Sequence, residues 1–253
     1  MPKLGNMTED AKTTTGGWTY SFDGKDKELT ETAYSAVILF IDITGSLIGK
    51  EKELESIPKR IVKRLQAEAA VASNILLRVV FFSNRDLKEI HGFKLAADID
   101  PDVYVINRCH GGTNLNAAVA SGIDITLDFA AGLWDQQFDV NGITITVTDG
   151  DNNKPGPTAA EIKKLSDKAM KGEKILSYRN MLVGVKPPEG DSNWDYITEK
   201  LETFQKEAGI SDYTDIGDFD DSAINKLVIG ISSIISDTSK NLKAGGGPSQ
   251  MII

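Results

Sequence analysis

Ala36-Val-Ile-Leu-Phe-Ile41 is a continuous apolar run that ends abruptly in Asp42-Ile-Thr44-Gly-Ser46. A run without polar alternation is expected of a strand buried on both faces, which is the habit of parallel sheets covered by helices. Working outward, Ile75–Phe82 and Met181–Val185 read the same way, and Ile143, Ile145 and Val147 alternate with threonines in a strand ending at Asp149. Between them lie helical patterns. Ile57, Ile61, Val62, Leu65 and Ala69 share one face, with Pro58 tolerable only near a first turn. Leu115, Val119, Ile123 and Ile125 mark a helix starting just after Thr113, Ile162 and Leu165 a short one, and Ile197, Leu201, Phe204 and Ala208 another. Ile224, Leu227, Val228, Ile231, Ile234 and Ile235 form the last. Glu89–Leu95 reads as an edge strand. Strands alternating with helices imply an α/β fold, a mainly parallel sheet with helices on both faces. Ligands of such sheets bind beyond the strand carboxyl ends, where strand order reverses.

Three separated segments carry oxygen ligands at such places: Asp42-Ile-Thr44-Gly-Ser46, Gly111-Gly-Thr113 and Thr148-Asp149-Gly150. The first and third follow strands and the second precedes a helix. Hydroxyl and carboxylate oxygens are hard ligands, suited to Mg2+, or to Mn2+ or Ca2+, rather than to zinc. Any one segment alone is an ordinary collection of turn formers. The three together, each beside the appropriate element, constitute a candidate metal site.

In order and context the segments resemble the D-x-S-x-S … T … D pattern of the metal-ion-dependent adhesion site of von Willebrand factor type A (vWA) domains, over roughly residues 34–240. Thr44 stands where serine is usual and keeps the hydroxyl. The resemblance implies a doubly wound sheet with one short antiparallel edge strand. It also implies direct metal ligation by Thr44, Ser46 and Thr113, with Asp42 and Asp149 acting directly or through water. With neutral first ligands, the ion keeps enough charge to accept an Asp or Glu from a protein partner. The implied role is therefore a binding module and not an enzyme. Cytosolic vWA proteins of this kind, including tellurite-resistance-type proteins, serve as adaptors for AAA+ ATPases or stress-response assemblies.

The 253 residues suffice for one large domain, with residues 1–33 as an extension and 241–253 as a flexible tail. Residues 1–16 read as loose. Trp18–Phe22 alternates like a strand that turns at Asp23-Gly24, suggesting a hairpin. The net charge of −9 argues against non-specific nucleic-acid binding. Lys59-Arg60 and Lys63-Arg64 read as a solvated helix face. The sequence shows no apolar stretch approaching the ~18 residues of a membrane span, and no secretory leader. With Cys109 alone, no intrachain disulfide can form. These features favour a cytoplasmic protein with no membrane partner. The acidic segment Asp212–Asp221 reads as a solvated loop capping the last helix.

Other chemistries fit less well. Gly45–Glu51 falls one residue short of a Walker A spacing and places Glu51 where a hydroxyl should be. Asp42-Ile-Thr44 is similar to the nucleophilic loop of haloacid-dehalogenase-type phosphatases, but Thr44 cannot replace their second aspartate as acid and base. Cys109 and His110, adjacent in an extended segment, would point apart. A stabilising metal in a structural subunit is the remaining alternative.

Overall fold

The computed structural model describes residues 11–20, 28–84, 87–186 and 193–243. Lys12–Thr13 (β1) and Thr19–Tyr20 (β2) pair antiparallel, Thr13 opposite Thr19. The hairpin therefore closes through residues 14–18, and Asp23-Gly24, the expected turn, lies outside the described residues. The turn is tied by Thr14, whose hydroxyl accepts from the Trp18 N–H at 3.0 Å. Residues 12–16 are thus built into the fold instead of loose.

The decisive apolar run becomes Ala33–Asp42 (β3), buried along its whole length. Then follow Glu51–Gln66 (α1), Ala69–Ala72 (α2), Ile75–Phe82 (β4) and Leu87–Leu95 (β5). Leu115–Trp134 (α3), Asp139–Thr148 (β6), Ala159–Lys171 (α4) and Ser177–Lys186 (β7) continue the alternation. Trp194–Ala208 (α5), Asp212–Asp218 (β8) and Asp221–Lys243 (α6) complete it.

Six strands form one sheet in the order β5-β4-β3-β6-β7-β8, parallel except for the antiparallel edge strand β5. Ala36, Ile38 and Phe40 face a core shared with α3, α4 and α5. Val37, Leu39 and Ile41 face the opposite core, shared with α1, α2 and α6. This is a doubly wound sheet. From β3 the chain first builds outward through β4 to β5, then returns to β6 and builds the other way. The order reverses between β3 and β6, so the crevice at their carboxyl ends is the predicted binding position.

Four details differ from expectation. Pro58 is the eighth residue of α1, well past its first turn. It has no N–H for the Leu54 carbonyl, yet the helix persists because Leu54, Ile57, Ile61, Val62 and Leu65 are all buried. The acidic segment is strand β8 and not a loop. Its backbone pairs with β7, and its carboxylates are held by Arg179 Nε on Asp212 at 2.6 Å and Lys186 Nζ on Asp218 at 2.9 Å. Charges on an edge strand also discourage further strand addition. Asp220 does cap α6, accepting from the Ala223 N–H at 2.8 Å.

Third, α3 is long and apolar enough to cross a membrane by length and composition. It is mostly buried, as a core helix covering the sheet. Last, its two aspartates anchor the N-terminal hairpin: Asp128 accepts from Lys12 and Tyr20, both at 2.6 Å, and Asp124 from the Thr15 N–H at 2.7 Å. Trp18 stacks on Phe40 with ring centroids 5.8 Å apart, so the hairpin completes one face of the core.

Candidate metal centre

Parallel pairing of β3 with β6 sets Ile41 beside Val147, which brings Asp42 and Asp149 out at the same end of the sheet. Asp42 is fully buried and Asp149 is 3% exposed. Both oxygens of Asp42 are fixed by neutral donors: Oδ1 accepts from the Thr44 N–H at 2.8 Å, and Oδ2 from the Thr148 hydroxyl at 2.7 Å. Thr44 Oγ1 lies 3.2 Å from Ser46 Oγ and 3.5 Å from Asp149 Oδ1. Ser46 sits on a single 3-10 turn, Gly45–Leu47, and is exposed, while Thr44 is buried. The cluster thus has a buried floor and an open mouth.

Thr113 arrives from the connection ahead of α3. That connection is sewn to its neighbours by backbone bonds, His110 N–H to Ile43 O at 2.8 Å and Gly45 N–H to Gly111 O at 3.0 Å. Asn153 then clamps Thr113 itself: its side chain accepts from the Thr113 N–H and its N–H donates to the Thr113 carbonyl, both at 3.1 Å. The Thr113 hydroxyl lies over Gly150, where a Cβ would come within 3.3 Å of it. Gly112 is enclosed more closely, since a Cβ there would meet the Lys154 side chain at 2.5 Å and Asn153 Oδ1 at 2.6 Å. Asp42, Thr44, Ser46, Thr113 and Asp149, named from sequence, therefore occupy one locality.

Burial first, and the neighbouring Asp149 carboxylate second, push the Asp42 carboxyl up to about 8, against the pull of its bonds from Thr148 and Thr44. Two neighbouring buried carboxylates are costly to ionise together, and a cation between them would reverse that cost. Among the described residues no group of three His, Cys, Asp or Glu side chains could hold a metal. Any ion here depends on the hydroxyls, and a set of two carboxylates and three hydroxyls suits a hard divalent cation. Burial first, then Glu51 and the two aspartates, push the nearby Cys109 thiol up to about 12, which favours its protonated form near neutral pH.

Sequence reading assigned no role to Thr148, Asn153 or Asn84. Thr148 adjoins Asp149 in the quoted motif and was available to it. Asn153 lies in an Asp-Asn-Asn run typical of side-chain-closed turns. Asn84, whose side chain accepts from the Gly112 N–H at 2.5 Å and whose N–H donates to the Gly112 carbonyl at 2.8 Å, carried no signal.

The fold recurs among solved structures. It matches the pilus adhesin SpaC from Lactobacillus rhamnosus GG in its open conformation, with a TM-score of 0.60 and 13% identity over 85% of this chain. It also matches the PilB minor pilin from Streptococcus sanguinis, with a TM-score of 0.52 and 14% identity over 91% of this chain. The chain spans 31% of the length of the adhesin and 66% of the pilin, and at these identities the likeness is one of fold. The SpRpn10 VWA domain aligns over 78% of this chain at 11% identity, with a TM-score of 0.49 that adds nothing to the fold assignment. No family model and no curated protein matches the sequence.

Proposed function

We propose that this chain is a vWA-type binding module, not an enzyme, that captures an acidic residue of a protein partner through a divalent cation. Mg2+ is the proposed ion, with Mn2+ or Ca2+ as substitutes, held by Thr44, Ser46, Thr113, Asp42 and Asp149. The observation that supports this reading is the convergence of those five side chains at the reversal of strand order, around two buried carboxylates. When bound, the ion would offer a coordination position to a carboxylate oxygen from outside. The chain's own residues do the rest. Thr148 and the Thr44 N–H orient Asp42, Asn153 holds the backbone of Thr113, and exposed Ser46 leaves the mouth accessible.

The use of this fold in proteins described as a pilus adhesin and a minor pilin is in keeping with a binding role. An adaptor role toward an AAA+ ATPase or a stress-response assembly is proposed on the sequence resemblance alone. The test is recovery of partners on the immobilised chain in Mg2+ and in chelator. The expected result is partners retained only with Mg2+ and lost with Asp149→Ala. Identical partners in chelator, or on the variant, would move the structural-subunit reading into first place.

A further inference from the structure

Beside the candidate centre lies a second feature that the metal reading does not use. A cavity of about 250 Å³ is lined by Ile43, Phe81, Lys88, Ile106, Asn107, Arg108 and His110. Ile43 sits between Asp42 and Thr44, and His110, whose N–H is bonded to the Ile43 carbonyl, lies three residues before Thr113. The cavity and the metal position therefore share a wall. Its charged lining is the cationic pair Lys88 and Arg108, with the His110 imidazole beside them, and no carboxylate among the described residues contributes to it. That is unusual for a chain of net charge −9.

Arg108 is exposed and makes no hydrogen bond or ion pair with any described residue. Lys88 donates to the Val105 carbonyl at 2.9 Å, which leaves two of its three donors available. The two carboxylates bonded to this connection, Glu55 and Glu51, do not line the cavity and are occupied by the backbone N–H groups of Ile106 and Cys109, at 2.8 and 3.1 Å. Apolar surface adjoins both features. Ile48, two residues beyond Ser46, is 65% exposed, and Val105, next to the cavity residue Ile106, is 45% exposed. Charge and apolar contact side by side suit a peptide segment better than a free anion.

We propose that the partner segment carries two carboxylates, the first directed to the metal position and the second seated in the Lys88–Arg108–His110 cavity. This rests on the metal-binding reading and adds to it a determinant of specificity. Rim charges of this kind select among partners more than they add affinity.

The test is a displayed peptide library with one fixed Glu and randomised flanks, selected on the full chain in Mg2+ and again in chelator. The expected outcome is Mg2+-dependent peptides enriched in a second Asp or Glu at a constant spacing from the first. Changing that second acid to Gln in a synthetic winner should weaken binding about three- to tenfold. The same change should have no further effect on a Lys88→Ser, Arg108→Ser double variant, which still binds the winner in Mg2+. Mg2+-dependent winners without a second acid would overturn this inference and leave the metal reading standing. Absence of any Mg2+-dependent winner would overturn both.

Discussion

Two buried charge clusters in this protein are handled in opposite ways. Arg78, on β4, is 1% exposed and faces the core under α3. The chain neutralises it internally: Glu89 on the neighbouring edge strand forms its ion pair, and the rings of Tyr20 and Phe93 lie 5.6 and 5.7 Å from its guanidinium carbon. At the carboxyl ends of β3 and β6, by contrast, the charge acting on Asp42 is of like sign, that of Asp149, and the groups bonded to Asp42 are neutral. The first cluster is closed over by the hairpin carrying Tyr20. The second opens at exposed Ser46. A buried charge solved by its own fold is architecture, whereas a like-charged pair under an open mouth is the arrangement expected of a group that receives its counter-charge from outside.

That contrast can be broken most forcefully at Arg78. Glu89→Ala leaves the guanidinium buried without its carboxylate and should destabilise the fold by about 3 kcal/mol. The loss should be read as a lower urea midpoint that is the same with and without Mg2+. Arg78→Met, which removes the charge while keeping volume, should cost less. If Glu89→Ala were instead rescued by Mg2+, the two clusters would not be independent.

A smaller effect of opposite sign is expected at Asp42. Its folded-state carboxyl is raised to about 8 from an ordinary 3.8, so the folded chain holds that proton more tightly than the unfolded one. In chelator, the associated stability is complete below the ordinary value and is lost as the pH rises toward 8. Asp42→Asn cannot ionise. It should remove that slope and raise stability at pH 8 by on the order of 1–3 kcal/mol. It should also abolish the response to Mg2+ that the proposed site implies, expected to be about 2.7 kcal/mol in the wild-type chain at a concentration one hundredfold above Kd. Thermal melts across pH, with and without Mg2+, provide the check. The mildest change is Gly150→Ala, whose new Cβ would sit 3.3 Å from the Thr113 hydroxyl. Calorimetry should show Mg2+ affinity lowered by about tenfold or less, with stability changed by less than about 0.5 kcal/mol.

The legible and illegible parts of this chain divide along physical lines. Ile75–Phe82 is read from sequence to its ends because its apolar residues, broken only by Arg78, leave no burial pattern other than a strand covered on both faces. The five candidate oxygen donors are legible because strand ends and a helix start bracket them. β8 is hidden because an edge strand with Asp212, Asp215 and Asp218 has the composition of a loop, and only its pairing to β7 reveals it. The hairpin register is hidden for a similar reason. It is set by Ser121, Asp124 and Asp128 on α3, more than a hundred residues away. Thr148 reads as one more strand threonine until β3 is laid beside it. The basic cavity is assembled from β4, β5 and a long connection, so no local pattern announces it.

The most direct test of the central claim is a Mn2+ titration of the metal-free chain near pH 8, followed by electron paramagnetic resonance and water-proton relaxation. The account predicts one saturable site, displaced by Mg2+, with exchangeable water on the ion and with binding lost in Asp149→Asn. Binding that never saturates, or that is unchanged in Asp149→Asn, would contradict it.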